Sequence, residues 1–394
     1  MGRYDLSPSE VAALLDKEPA YRSEQVWAGL YTRACEPGEM YELPLSLRAR
    51  LKSEPALAPG LRLASESRAD KGETVRWVWV CHDGTRIESV LMLYPERATV
   101  CVSSQAGCAM GCGFCATGQG GFNRHLSTGE IVEQVVKARS AAQAAGRRLS
   151  NVVFMGMGEP MANYARVWAA VERIHADLGI GARHVTISTV GLVPGIRRLA
   201  AEHLPVGLAV SLHAANDALR DRLVPINRRW PIAEVVAACR DYIQATGRRL
   251  SFEWALIDGV NDSPRDAAEL GKLAFGLRAH VNLIPLNPTP GWPTKGTPPA
   301  GVRAFADALQ TLGVNATIRQ TRGQAIDAAC GQLAGAPAPT GALVPRDATG
   351  ALVPPAALAR RGALVPLAAP DSPVSIVRPT RLRGIPVAAE GLQD

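Results

Sequence analysis

The chain has 394 residues, 47% of them hydrophobic and 20% charged, enough for a large core with accessory segments. No apolar run approaches the ~20 residues of a membrane-spanning helix, and the N-terminus MGRYDLSPSEVAALLDKEPAYR lacks the apolar stretch of a secretory signal. Eight cysteines in so long a chain argue against a disulfide scaffold and for a reducing cytoplasm, while a net charge of +7 favours a polyanionic partner.

Residues 4–55 read as a small helical module. Ser7, Pro8 and Glu10 make a helix start, with Ser as N-cap, Pro in the first turn and Glu reaching back. Val11, Leu14 and Leu15 follow at helical spacing. Further helices are expected over 22–32 and 45–53, with Val26, Leu30, Leu47 and Leu51 facing inward. Arg22, Arg33, Arg48 and Arg50 suit either a phosphate backbone or an ordinary solvated helix face. Over 70–100 the period changes to two, and Thr74–Cys81 and Arg86–Leu93 predict a strand pair around an Asp83-Gly84 hairpin turn. Glu88 falls in the second strand, where most glutamates face solvent.

The stretch CVSSQAGCAMGCGFCATGQGGFNR, from Cys101 to Arg124, gathers Cys108, Cys112 and Cys115 in a C-x3-C-x2-C array among glycines. Such a loop can wrap thiolates around one centre. Three soft ligands suit an iron–sulfur cluster, which usually takes four cysteines; three leave one iron open for chemistry. The alternatives are a zinc site with His125 as fourth ligand, or plain buried thiols.

Downstream, Ser127 to Glu130 form a second capping box that opens a helix to about Gln143. Strand signals at 151–157, 184–189, 204–212, 250–257 and 280–286 alternate with helical ones at 164–178, Asp217–Leu223, 231–245, 265–275 and 299–312. Together with the strand leading into the cysteine loop, this predicts an α/β fold, a partial open β/α barrel of about six units. The strands end in Gly156-Met157-Gly158-Glu159-Pro160, Ser188-Thr189-Val190-Gly191, Ser211-Leu212-His213 and Asn287-Pro288. Small polar groups on one such rim are what a ligand site needs. Residues 336–394 differ: they are rich in Ala and Pro, repeat GALVP three times, and carry six Arg against four acidic residues. A disordered tail is expected there.

The cysteine array followed by GMGEP resembles the radical S-adenosylmethionine superfamily. The longer strings, from YRSEQVWAGLY through VFMGMGEPMANY, SLHAANDALRDRLVPINRR and VNLIPLNP to TRGQAIDAACGQLAG, resemble its RlmN/Cfr family of RNA adenine methyltransferases. The resemblance spans nearly all of residues 4–335 and makes 101–335 the radical core, with 4–55 similar to the family's RNA-binding domain.

It implies that Cys108, Cys112 and Cys115 bind a 4Fe-4S cluster whose open iron takes S-adenosylmethionine. Gly158, Glu159, Ser188, Ser211, Leu212, His213 and Asn287 would bind that cofactor. Cys330 matches the family's methyl-carrying cysteine, Cys101 its resolving thiol and Glu88 its proton acceptor. By the family's chemistry, one S-adenosylmethionine methylates Cys330, and a second yields a radical that activates this methyl for attack on adenine. Glu88 or Cys101 takes the proton, and Cys101 then attacks Cys330, leaving a disulfide. The implied substrates are adenosine 2503 of 23S ribosomal RNA and adenosine 37 of some tRNAs, methylated on C2 by a monomer served by a protein reductant. The alternatives are methylation on C8 of the same base, as in the Cfr branch, and a non-catalytic iron–sulfur or zinc protein that only binds RNA.

Overall fold

The computed structural model describes residues 2–335; the Ala/Pro-rich tail expected to be disordered lies outside them. First comes the helical module, α1 (Pro8–Ala13), α2 (Tyr21–Tyr31) and α3 (Leu45–Lys52). The capping box forms as its residues predict, with the Ser7 N–H donating to the Glu10 carboxylate at 2.7 Å. Val11, Val26, Leu30, Leu47 and Leu51 are buried. Of the four arginines, Arg33 pairs with Glu42 and Arg50 with Glu18, Arg48 lies over the Tyr41 ring, and Arg22 donates to Gln25.

Next is an antiparallel meander of β1 (Leu61–Ala69), β2 (Thr74–Cys81) and β3 (Arg86–Leu93), and β3 pairs antiparallel with β4 (Ala98–Cys101). The strand β1 precedes the expected hairpin. Its sequence LRLASESRA is mostly exposed at the sheet edge, so it carries almost no apolar periodicity.

The remainder alternates. After β5 (Gln105–Gly107), α4 (Ala116–Gln119) and β6 (Phe122–His125) come α5 (Thr128–Ala144), β7 (Leu149–Phe154), α6 (Tyr164–Ala176) and β8 (Val185–Thr189). Then follow α7 (Val193–Ala200), β9 (Gly207–Ser211), α8 (Asp217–Leu223), α9 (Ile232–Thr246) and β10 (Ser251–Leu256). The last are α10 (Pro264–Leu277), β11 (His280–Pro285), α11 (Pro299–Thr311) and β12 (Ala316–Ile318).

The strands β4 and β7 to β12 run parallel in chain order, and β1 and β12 close the two ends of one ten-stranded sheet. The sheet is therefore open, as expected, with β12 as a short addition to the six predicted strands. Val152, Ile187, Val210, Phe252, Trp254, Val281 and Leu283 are buried. Covered on both faces, such strands read in sequence as apolar runs. Among the described residues no helix is long and apolar enough to cross a membrane.

One charged side chain pins the strand ends. Arg220 of α8 is fully buried and donates to the carbonyls of Val190 (2.6 Å) and Leu212 (3.0 Å) and to Asn227 Oδ1 (2.7 Å). Desolvation pulls its pKa down to about 10, so it stays charged at neutral pH. Arg220→Met leaves these buried acceptors unpaired, and urea unfolding is expected to show a loss on the order of 3–5 kcal/mol. A loss below about 1 kcal/mol would show that Arg220 is not what holds these loops.

Candidate active site

The cysteine loop leaves the barrel after β5 and returns as β6, which pair antiparallel and hold its two ends together. Within it the Cys108 N–H donates to the Gly121 carbonyl at 2.7 Å and the Cys115 N–H to the Cys112 carbonyl at 3.2 Å. Gly118 packs so tightly that a Cβ there would lie 2.8 Å from the Cys112 carbonyl oxygen, which explains one glycine of the run. Cys112 is buried, Cys108 and Cys115 are half-buried, and all three line one cavity.

Burial pushes the Cys108 thiol up to about 12 and the Cys112 thiol well above its ordinary value, and neighbouring sulfurs raise both further. Such a donor set becomes thiolate only with a cation among the sulfurs. Among the described residues no three His, Cys, Asp or Glu side chains converge closely enough for a single ion. The three cysteines line one cavity, and an all-sulfur donor set suits an iron–sulfur cluster. His125, the fourth ligand of the zinc alternative, has its Nδ1 3.0 Å from the Gln105 amide.

Around the same cavity stand the strand ends. Gly158, with φ 97°, lies against Gln105, whose Oε1 accepts the Glu159 N–H at 2.8 Å. The Glu159 carboxylate accepts backbone N–H groups of Met161 and Val190, each at 2.9 Å. Desolvation nevertheless lifts its pKa to about 7. Ser188 and Ser211 place their hydroxyls 3.4 Å apart. His213, at φ 58°, accepts the Ala255 N–H on Nδ1 at 3.0 Å, which leaves the proton on Nε2. Burial lowers its pKa to about 3, so the ring is neutral. Asn287 donates its side-chain N–H to the Cys330 carbonyl at 3.0 Å. Leu212 does not line the cavity; its side chain lies in the core, and its carbonyl accepts from Arg220.

Cys330 joins this cavity from the far end of the chain. Its loop is tied to the cluster loop by the Ala116 N–H to the Gly331 carbonyl at 2.8 Å and by the Thr117 hydroxyl to the Leu333 carbonyl. The Cys330 side chain is open to the cavity, while the dense protein around it still pushes the thiol up. Cys101, at the end of β4, is near enough for a charge on Cys330 to help raise its pKa, which burial already lifts to about 12. Glu88 is fully buried and does not line the cavity; both its carboxylate oxygens are held by Arg76.

Three further residues escaped the sequence reading. Gln105 orders the Gly158–Glu159 turn and was visible only as one letter of the quoted cysteine string. Glu253 interrupts the apolar strand LSFEWAL, a signal that was available; it is buried and lines the cavity. Its Oε1 accepts from Asn282 at 2.8 Å, and its Oε2 has no hydrogen-bond partner. Arg319, just after β12, brings Nη1 to 3.7 Å from that Oε2 and 3.6 Å from the Met155 sulfur.

The Radical SAM superfamily description matches residues 102–271. A protein of Parafrankia sp. (strain EAN1pec) named as a probable dual-specificity RNA methyltransferase RlmN is 56% identical over 336 residues, covering 81% of this chain and 87% of the relative. A relative of the same name from Frankia alni is 55% identical over 350 residues, covering 85% of this chain and 83% of its own length. Among solved structures, a radical SAM methyltransferase from Sphaerobacter thermophilus superposes with a TM-score of 0.82 at 49% identity, over 85% of this chain and all of that one. A C-x3-C-x2-C loop at the mouth of an open parallel barrel, with relatives this similar over most of their length, makes the chain a member of the RlmN family of radical S-adenosylmethionine RNA methyltransferases.

Proposed function

We propose that this RNA methyltransferase places a methyl group on C2 of adenine, at adenosine 2503 of 23S ribosomal RNA and at adenosine 37 of some tRNAs. The observation that carries the reading is the meeting of Cys330 with Cys108, Cys112 and Cys115 around one cavity. Cys108, Cys112 and Cys115 would hold a 4Fe-4S cluster, and Gly158, Glu159, Ser188, Ser211, His213 and Asn287 would hold S-adenosylmethionine. When bound, these groups supply an electrophilic methyl and one-electron hydrogen abstraction, chemistry that no side chain offers.

The chain supplies nucleophile, placement and dryness. Cys330 takes the methyl as thiolate. Met110, Phe114, Phe154 and Leu286 line the cavity and exclude water from the reacting groups. Cys101 attacks the Cys330 sulfur to release product, which leaves a Cys101–Cys330 disulfide for a protein reductant to reopen. The proton leaves to Glu88 or to Cys101. An adenine treated in so enclosed a site must be presented unstacked, from a single-stranded loop.

Nucleoside mass spectrometry of ribosomal RNA and tRNA treated with the reconstituted enzyme should show 2-methyladenosine; 8-methyladenosine alone would overturn the regiochemistry. Cys101→Ala is expected to accumulate a covalent protein–RNA adduct through Cys330, visible as an RNase-sensitive band shift, because no thiol remains to release it. Free turnover by that variant would remove Cys101 from the release step. Arg319 lowers the pKa of both thiols, so Arg319→Met raises it and shrinks the thiolate fraction at a given pH. Peptide-resolved alkylation of Cys330 at pH 8 should slow severalfold, because the thiolate is the reactive form. An unchanged rate would show that Arg319 does not act on this thiol.

A further inference from the structure

The loop that carries Cys330 has little regular structure of its own, a single 3-10 turn at Gln324–Ile326. Asp327 sits at φ 51°, and Gly323, Gly331 and Gly335 at φ 69°, 88° and 73°, so the chain passes through the left-handed region four times. Asp327 holds that conformation without the freedom of glycine, at a cost of about 1 kcal/mol or more. Left to itself such a loop would relax. It is fixed on its inner side by Ala116, Thr117 and Asn287, the contacts described above. On its outer side Asp70 accepts the Gly323 N–H at 3.0 Å, and one ion pair holds the segment on both sides of Cys330.

Arg76 of β2 and Glu88 of β3 are diagonal neighbours on one face of the hairpin, since Arg76 stands opposite Val90 and Val78 opposite Glu88. They join by two parallel bonds, Nε to Oε2 at 2.7 Å and Nη2 to Oε1 at 2.8 Å. The Arg76 Nη1 then donates to the Ile326 carbonyl at 2.8 Å. Glu88 Oε1 accepts the backbone N–H of Gly335 at 2.8 Å and of Ala334 at 3.3 Å. One pair thus grips the loop at both ends, four residues before Cys330 and four and five after it. A bidentate arginine–carboxylate pair suits this task, because its geometry is fixed and burial strengthens it.

We propose that the Arg76–Glu88 pair is a clasp that sets the register of the Cys330 loop against Cys101, and that Glu88 is a positioning residue rather than the family's proton acceptor. The inference rests on the reading of Cys101 and Cys330 as a reacting pair. It assigns Arg76 a part in the reaction without contact to substrate.

The test is the equilibrium of the Cys101–Cys330 disulfide in glutathione buffers, measured on the cluster-loaded enzyme by alkylation and peptide mass mapping. The clasp holds the two thiols at high effective concentration, so Glu88→Ala and Arg76→Ala should each lower it about tenfold, moving the midpoint by about 30 mV toward easier reduction. The double variant should shift no further than either single one, because both remove the same device. Glu88→Gln, which keeps an acceptor for the Gly335 N–H, should shift the midpoint by about threefold and provides the reading should Glu88→Ala fail to fold. Midpoints equal to wild type in all four variants would overturn the clasp and return Glu88 to proton transfer. A wild-type enzyme that never forms this disulfide would overturn the underlying reading of the two cysteines instead.

Discussion

Burying acidic groups together is what this structure has to solve. Three thiols, the Glu159 and Glu253 carboxyls and the Cys330 thiol all line one cavity, where desolvation penalises every negative charge. The fold meets that penalty with directed dipoles and two arginines. Backbone N–H groups of Met161 and Val190 face Glu159, Arg220 braces the loops beneath, and Arg319 lies by Glu253 and the Cys101 and Cys330 thiols. The raised thiols of Cys108 and Cys112 are what a cationic cluster core would relieve.

The parallel strands place these groups at their C-terminal ends, but they do not hold the last participant. Cys330 lies beyond β12 and the short 3-10 turn at Gln324–Ile326, outside any strand or α-helix. Its loop is held between Ala116, Thr117 and Asn287 on one side and the antiparallel meander at the other end of the sheet. The hairpin β2–β3 therefore acts as more than a cover for the barrel edge: it converts a fixed ladder register into a fixed place for a loop.

Much of this was legible in sequence for physical reasons. Strands covered on both faces read as apolar runs, and the boxes at Ser7 and Ser127 marked their helix starts. The edge strand β1 could not be seen because its exposed residues have no reason to be apolar, and β12 is too short to show a period. The local motifs Cys108–Cys115 and Gly158–Glu159 were visible because their ligands are neighbours in sequence. Cys101, Cys330 and Glu88 carry no local pattern, and only resemblance singled them out. That route conveys a role but not a surrounding, so the contacts of Glu88 with Arg76, Ala334 and Gly335 became visible only in the fold. Glu253 was within reach: a carboxylate inside a buried strand calls for an explanation wherever it occurs.

The bond from Gly335 to Glu88 spans 247 positions. A chain made from its N-terminus folds its early parts first. On the ribosome, the loop of Cys108, Cys112 and Cys115 and the hairpin of Arg76 and Glu88 emerge well before residue 330 does. A nascent chain can therefore bring Cys108, Cys112 and Cys115 out together before Cys330 exists. Translation itself sets that order, and Cys330 joins Cys101 last.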